Sequence, residues 1–274
     1  MRTGVSSEHS RFGNHVVQAR RLAIPAVTLA LVHGFPETPA IWRPLQESLS
    51  RESVAVALPG LGNARPRGFT ATKDAYAAAL AEALAQLDGP LDLVGHDIGA
   101  LLTLRIATAF ELPLRSWVVD VANIFHRDHV WPDRVHQLQT HGAGEQLIRT
   151  MREAAPDDPA STKTRLIAGG VPDQLAAEIA AAHDDTMSQC ILDFYRSAVP
   201  NVAAEWWNQA GTTVGRGLVL LLPDPLPDEN KSIDVARRLG AAIARLDGLN
   251  HCWMAEDPQR VADTLTAFWA SLDD

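Results

Sequence analysis

The sequence predicts an α/β fold: a mostly parallel sheet flanked by helices, with a helical segment inserted late in the chain. Three observations carry this. Short apolar runs of buried-strand type alternate with helical patterns through the first half, as parallel sheets with helices on both faces require. From about Ala122 to Gly211 the chain is helical, polar and rich in Trp and His, without a convincing strand. The stretch "LDLVGHDIGA", residues 91–100, joins one of the strands to a helix through a turn framed by Gly95 and Gly99.

In chain order, strand-like runs fall at Ala26–Val32, Val54–Leu58, Leu91–Val94, Ser116–Val119 and Leu218–Leu222, with a further strand around Ala242–Leu246. Thr72–Leu87 and Gly99–Phe110 carry helical patterns between the earlier strands. Ser232–Leu239 is a helix that Gly240 can stop, and Pro258–Leu272 is the final helix. This order divides the chain into a core of residues 1–122 and 212–274 and a helical cap of residues 123–211. Ligands of open α/β sheets bind at the carboxyl ends of the strands, so the cap is expected to roof a pocket there.

Bulk properties narrow the function. A net charge of −9 over 274 residues argues against a nucleic-acid partner, and no basic run suggests a membrane surface. Ala23–Val32 contains Pro25, is too short to span a bilayer and lacks a secretory cleavage pattern. Cys190 and Cys252 do not make a disulfide framework, and a reducing cytoplasm is the expected compartment. A small-molecule substrate is the expected partner; a homodimer is left open.

The turn at residues 95–99 is the main chemical signal. Small residues two before and two after a central polar one let strand and helix pack closely around a sharp bend, the geometry of a nucleophile elbow. The usual occupant is serine; here it is Asp97. A carboxylate with an ordinary pKa near ~3.9 is already ionised at neutral pH and suits displacement at a saturated carbon. The plain alternative is that Asp97 only caps the following helix, since Asp is a favoured N-cap.

Four segments, "HGFPETPAIW" (33–42), "LPGLG" (58–62), "GHDIGA" (95–100) and "GLNHCWMAEDP" (248–258), occur in an order and spacing that resemble the α/β-hydrolase superfamily, in its epoxide hydrolase and dehalogenase branch. The likeness covers nearly the whole chain. It implies that Asp97 forms an alkyl ester with the substrate and that His251 activates the water that hydrolyses it. It implies an oxyanion hole made by the backbone N–H groups of Phe35 and Ile98. The acid that orients His251 has two placements. Asp224 follows the strand before the histidine segment, with Asp228 weaker; Asp120, in "SWVVDVAN", ends the strand after the elbow helix.

An epoxide needs a proton donor for its ring oxygen, for which epoxide hydrolases typically use two cap tyrosines. The chain has Tyr76, in a core helix, and Tyr195, in "ILDFYRSAVP" near the end of the cap. Trp131, His136 or a water is expected to replace the missing second tyrosine, with His33, Trp131 and His136 as pocket residues. Haloalkane dehalogenases place halide-binding donors where this chain has Ile98 and Phe35. Fluoroacetate dehalogenases place two arginines where it has Ile98 and Leu101, and their halide pair aligns with Asp133 and Arg134. The expected activity is therefore opening of a bulky, largely apolar epoxide to a vicinal diol. A dehalogenase using the same ester chemistry and a non-catalytic ligand receptor are the alternatives.

No metal or organic cofactor is expected. His126, His129, His136 and His141 match no helical zinc spacing, and Gly60-Leu61-Gly62 lacks the rest of a dinucleotide fingerprint. Trp206-Trp207 reads as packing between cap and core.

Overall fold

The computed structural model describes residues 27–201, 203–211, 213–223 and 228–273. Six strands form one sheet: β1 (Thr28–Val32), β2 (Ser53–Val56), β3 (Leu91–Gly95), β4 (Leu114–Val119), β5 (Arg216–Leu221) and β6 (Ala242–Arg245). Their order is β2-β1-β3-β4-β5-β6, and every pairing is parallel. Helices α1 (Arg43–Ser48), α2 (Lys73–Leu84) and α3 (Ile98–Ala109) occupy the first half. Between β4 and β5 come α4 (Asp133–Gln139), α5 (Ala143–Glu153), α6 (Thr162–Ala168), α7 (Asp173–Ala181), α8 (Asp185–Ser197) and α9 (Ala203–Gln209). Last are α10 (Glu229–Leu239), α11 (Trp253–Glu256) and α12 (Pro258–Ala270). Among the described residues no helix is long and apolar enough to cross a membrane.

Alternation along the strands builds two apolar layers. Ala30 and Val32 of β1 face a cluster that includes Leu80 of α2, Leu104 of α3 and Val235 of α10. Leu29 and Leu31 face the opposite cluster, with Leu45 of α1 and Leu265 and Trp269 of α12. Local signals set the helix starts. The Thr72 side chain caps α2 by accepting from Ala75 N, and Asp228 caps α10 by accepting from Lys231 N, so that α10 begins at Glu229, three residues before the Ser232 start that the pattern predicts.

Buried Asp92, at the amino end of β3, would be costly unpaired. Its carboxylate accepts from Arg51, from Arg115 and from Ser116 Oγ at 2.6–3.0 Å, tying β3 to β4 and to the segment before β2. The carboxyl end of β3 is held by close approach instead. A Cβ added at Gly99 would meet the backbone carbonyls of Val32 and His33, neither of which can rotate away. Gly99→Ala should therefore destabilise the fold by about 2 kcal/mol or more. An unchanged urea midpoint would show that β1 and α3 can part without cost.

Candidate functional site

Asp97 lies in the turn between β3 and α3 with φ 51° and ψ −121°, a conformation a non-glycine residue adopts at a cost of ~1–3 kcal/mol. It occupies the N-cap position of α3, yet its side chain makes no capping bond. Instead Oδ2 accepts the Phe35 N–H at 3.1 Å. The loop after β1 comes this close because residue 34 is glycine; a Cβ there would meet the Asp97 side chain. Ile98 is the first residue of α3, where backbone N–H groups have no partner within the helix. His251 precedes α11, and its Nε2 lies 4.0 Å from Asp97 Oδ1.

Beneath this pair is a buried ionic network. The His96 ring contacts Asp120 Oδ2 through Nδ1 at 2.5 Å and Glu37 Oε1 through Nε2 at 3.1 Å. With a carboxylate at each nitrogen, both nitrogens must donate, so the ring is an imidazolium. Burial alone would lower the His96 pKa, but Glu37 and Asp120 outweigh it and hold the pKa well above the usual histidine range. Burial likewise opposes ionisation of Glu37, and His96 outweighs it, holding Glu37 at about 2. Asp120 is lowered by the same balance. The outer oxygens of the two carboxylates aim the site: Glu37 Oε2 accepts from Gly34 N at 3.0 Å, and Asp120 Oδ1 accepts from Asp97 N at 2.9 Å. Asp120 Oδ2 also accepts from Trp253 Nε1 at 2.7 Å. Asp97 itself is raised above the ordinary aspartate value by burial, against the opposing pull of His251.

A cavity of about 560 Å³ opens over Asp97, lined by Phe35, Trp131, Tyr195 and His251 among others. Tyr195 is buried on its wall, its pKa raised by burial and then by the Asp97 charge. Among the described residues none accepts a hydrogen bond from its hydroxyl. The Tyr76 hydroxyl, by contrast, donates to Pro59 O at 2.8 Å.

Some expected roles need correcting. His33 is not a pocket residue. It is fully buried, with Nδ1 2.9 Å from Gly34 O and Nε2 accepting from Leu58 N, so its ring knits two strand-end loops. His136 is exposed on α4 beside Gln139 and does not reach the wall. Trp131 is on the wall, but its N–H is given to Ala198 O at 3.0 Å and cannot serve a ligand. Asp228 is committed to capping α10, and Asp224 lies outside the described residues. Trp206 and Trp207 sit off the wall, beneath cations from Lys73, Arg105 and Arg238.

Glu37 and His96 were not singled out by sequence reasoning, although both lie inside quoted motifs. Nor was Asn123, and His129 was weighed only as a metal ligand; both line the cavity, with Oδ1 and Nε2 buried and unpartnered among the described residues. Burial first, then Lys231, lowers His129 to about 4, so it is neutral at ordinary pH. Glu37, His96 and His251 offer ligand atoms within 4.8 Å of one another. Because the His96 nitrogens are both protonated, this group fits a salt-bridge network better than a metal centre.

The network gives stability a defined pH signature. The raised His96 stabilises the fold fully below the ordinary imidazole value of 6.5 and progressively less as pH rises toward its folded value. The depressed Glu37 stabilises it fully above 4.5 and loses this as pH falls toward about 2. The excess stability of wild type over Glu37→Gln should thus be greatest between these limits and shrink on both sides. Thermal unfolding across pH would reveal it, and a difference independent of pH would count against the ionic assignment.

Residues 29–264 match the alpha/beta hydrolase family. No curated protein sequence matches the chain. Among solved structures, it is similar to a Pseudomonas aeruginosa protein provisionally named an epoxide hydrolase, with 21% identity, 90% of this chain and 89% of that chain covered, and a TM-score of 0.73. It is similar to a loop variant of the haloalkane dehalogenase DbeA from Bradyrhizobium elkanii, with 17% identity, 90% of each chain covered and a TM-score of 0.68. NosK from Streptomyces actuosus shares 19% identity over 90% of this chain and 99% of that one, with a TM-score of 0.64. At these identities the likeness is one of fold. The match to the family profile reaches from β1 into α12 and so takes in the elbow and the histidine loop alike: the chain belongs to the alpha/beta hydrolase family.

Proposed function

We propose that this hydrolase opens an epoxide to a vicinal diol through an ester on Asp97. The observation that supports it most is the split role of the Asp97 oxygens. Oδ2 is held by the Phe35 N–H, whereas Oδ1 faces His251. Oδ1 attacks one ring carbon, the C–O bond of the epoxide breaks, and the alkoxide takes a proton from the Tyr195 hydroxyl. His251 then removes a proton from water, which attacks Cγ of Asp97. The negative charge gathers on Oδ2, where the N–H groups of Phe35 and Ile98 stabilise it. Collapse breaks the Cγ–Oδ1 bond; the His251 imidazolium gives its proton to the departing alkoxide, the remaining carboxyl proton restores the Tyr195 hydroxyl, and the diol leaves with the former Oδ1. The attacked centre is inverted, and ester hydrolysis leaves it untouched.

Asp224 is assigned as the acid orienting His251. Asp120 already accepts from His96, Asp97 N and Trp253, and its work is to hold the elbow. A cap of residues 123–211 closes the site, and the wall near the nucleophile, with Phe35, Val121, Ile124 and Leu138, suits an apolar substrate body.

Single turnover in heavy-oxygen water should place the label in Asp97 and leave the diol unlabelled. Label in the first-turnover product would instead establish direct attack by water. His251→Gln should accumulate the ester, seen as added mass on the peptide holding Asp97, and Asp97→Ala should not. Tyr195→Phe should slow diol formation by about 10²-fold; an unchanged rate removes Tyr195 from the mechanism. Burial raises Asp97 and the carboxylate must be ionised to attack, so the acid limb of the ring-opening step should lie above the ordinary aspartate value of 3.8.

A further inference from the structure

The wall of the cavity carries two cations with no counter-ion among the described residues. Arg134 of α4 and Arg165 of α6 both line it. Among the described residues neither pairs with a carboxylate. The polar contact of Arg134 is with Met151 Sδ at 2.7 Å, and the Arg165 guanidinium makes none. Arg165 is exposed overall, and partial burial of its head lowers its pKa, with no described acid opposing the shift. What sets these two apart is their place on the cavity wall, since other arginines, such as Arg67 and Arg149, also lack a carboxylate partner among the described residues. Elsewhere the arginines near acids do pair, as in Arg43–Glu178, Arg51–Asp92, Arg65–Asp193 and Arg196–Glu145.

The described carboxylates on the same wall are engaged elsewhere. Glu37 is held by His96, and Asp97 is oriented by Phe35 N–H. The cavity is therefore polarised, with a negative group at the elbow and positive groups on the roofing helices. An anionic substituent is repelled from the first and attracted to the second, which fixes which end of a ligand meets Asp97. Guanidinium forks match a planar carboxylate in two-pronged fashion.

Resting on the epoxide reading above, we infer that the substrate is an epoxy acid. Its carboxylate is held by Arg134 and Arg165, and an apolar body separates it from the ring that Asp97 attacks. The competing explanation is that both arginines merely cover apolar surface with their stems and keep their heads in water.

A matched pair of aryl or alkyl epoxides, one with a remote carboxylate and one with its methyl ester, separates the two. Wild type should prefer the acid by about tenfold or more in kcat/KM, chiefly through KM, and the preference should shrink with added salt. Arg134→Gln/Arg165→Gln should bring the acid down to the level of the ester. The salt series needs no variant and so survives a double variant that folds poorly. As a readout independent of turnover, calorimetry on Asp97→Asn should show the diol acid binding more tightly than the diol ester. Equal turnover of acid and ester by wild type, or a preference indifferent to salt, overturns the inference and leaves the Asp97 mechanism standing. Tight diol-acid binding with no diol formed from either epoxide supports the anion site and overturns the epoxide reading instead.

Discussion

A charged histidine sealed between two carboxylates is the constraint on which this site depends. Removing such ions from water costs several kcal/mol each unless every hydrogen-bonding position is used. Here each one aims something else. Glu37 turns the loop after β1 by binding Gly34 N, Asp120 binds the backbone of Asp97, and Trp253 ties the segment after His251 to the same carboxylate. Loops from three neighbouring strands and the histidine segment thus meet on one imidazolium. The positive φ of Asp97 persists because the surroundings leave that residue no other position.

Much of this was legible in the sequence, and for identifiable reasons. Strand alternation and apolar runs place the sheet, because burial on both faces demands them. The glycines around Asp97 announce a close approach that only missing side chains allow. The capping alternative for Asp97 could not be dismissed from composition, since Asp suits either role; it falls only when Oδ2 is found on the Phe35 N–H. The role of His96 is not legible, because a histidine beside the elbow aspartate looks like part of a motif. Only the fold brings Glu37, distant in sequence, to its other nitrogen.

The walls were the least legible part. His33 and His136 belong to stretches that border the cavity, yet one ring points into the core and the other into solvent. His129, Arg134 and Arg165 do reach it. Short helices make this hard to foresee, because a turn or two of helix carries too weak a periodic signal to say which face is turned inward. The apolar character expected of the pocket therefore describes its floor better than its roof, where charge had no pattern to announce it.

Among the described residues a backbone hydrogen bond links roof and floor. Cys252 N donates to Gly169 O at 2.7 Å, so the end of α6 is fastened to the residue following His251. Side-chain bonds hold other edges: Lys73 N donates to Ser197 Oγ at 2.8 Å, Trp206 Nε1 donates to Asp74 Oδ1 at 3.1 Å, and Arg43–Glu178 is an exposed ion pair of small individual worth. Because Cys252 adjoins His251, displacing this edge of the roof would carry the imidazole away from Asp97, so the position of the ring opposite the elbow and the seating of α6 are one and the same constraint.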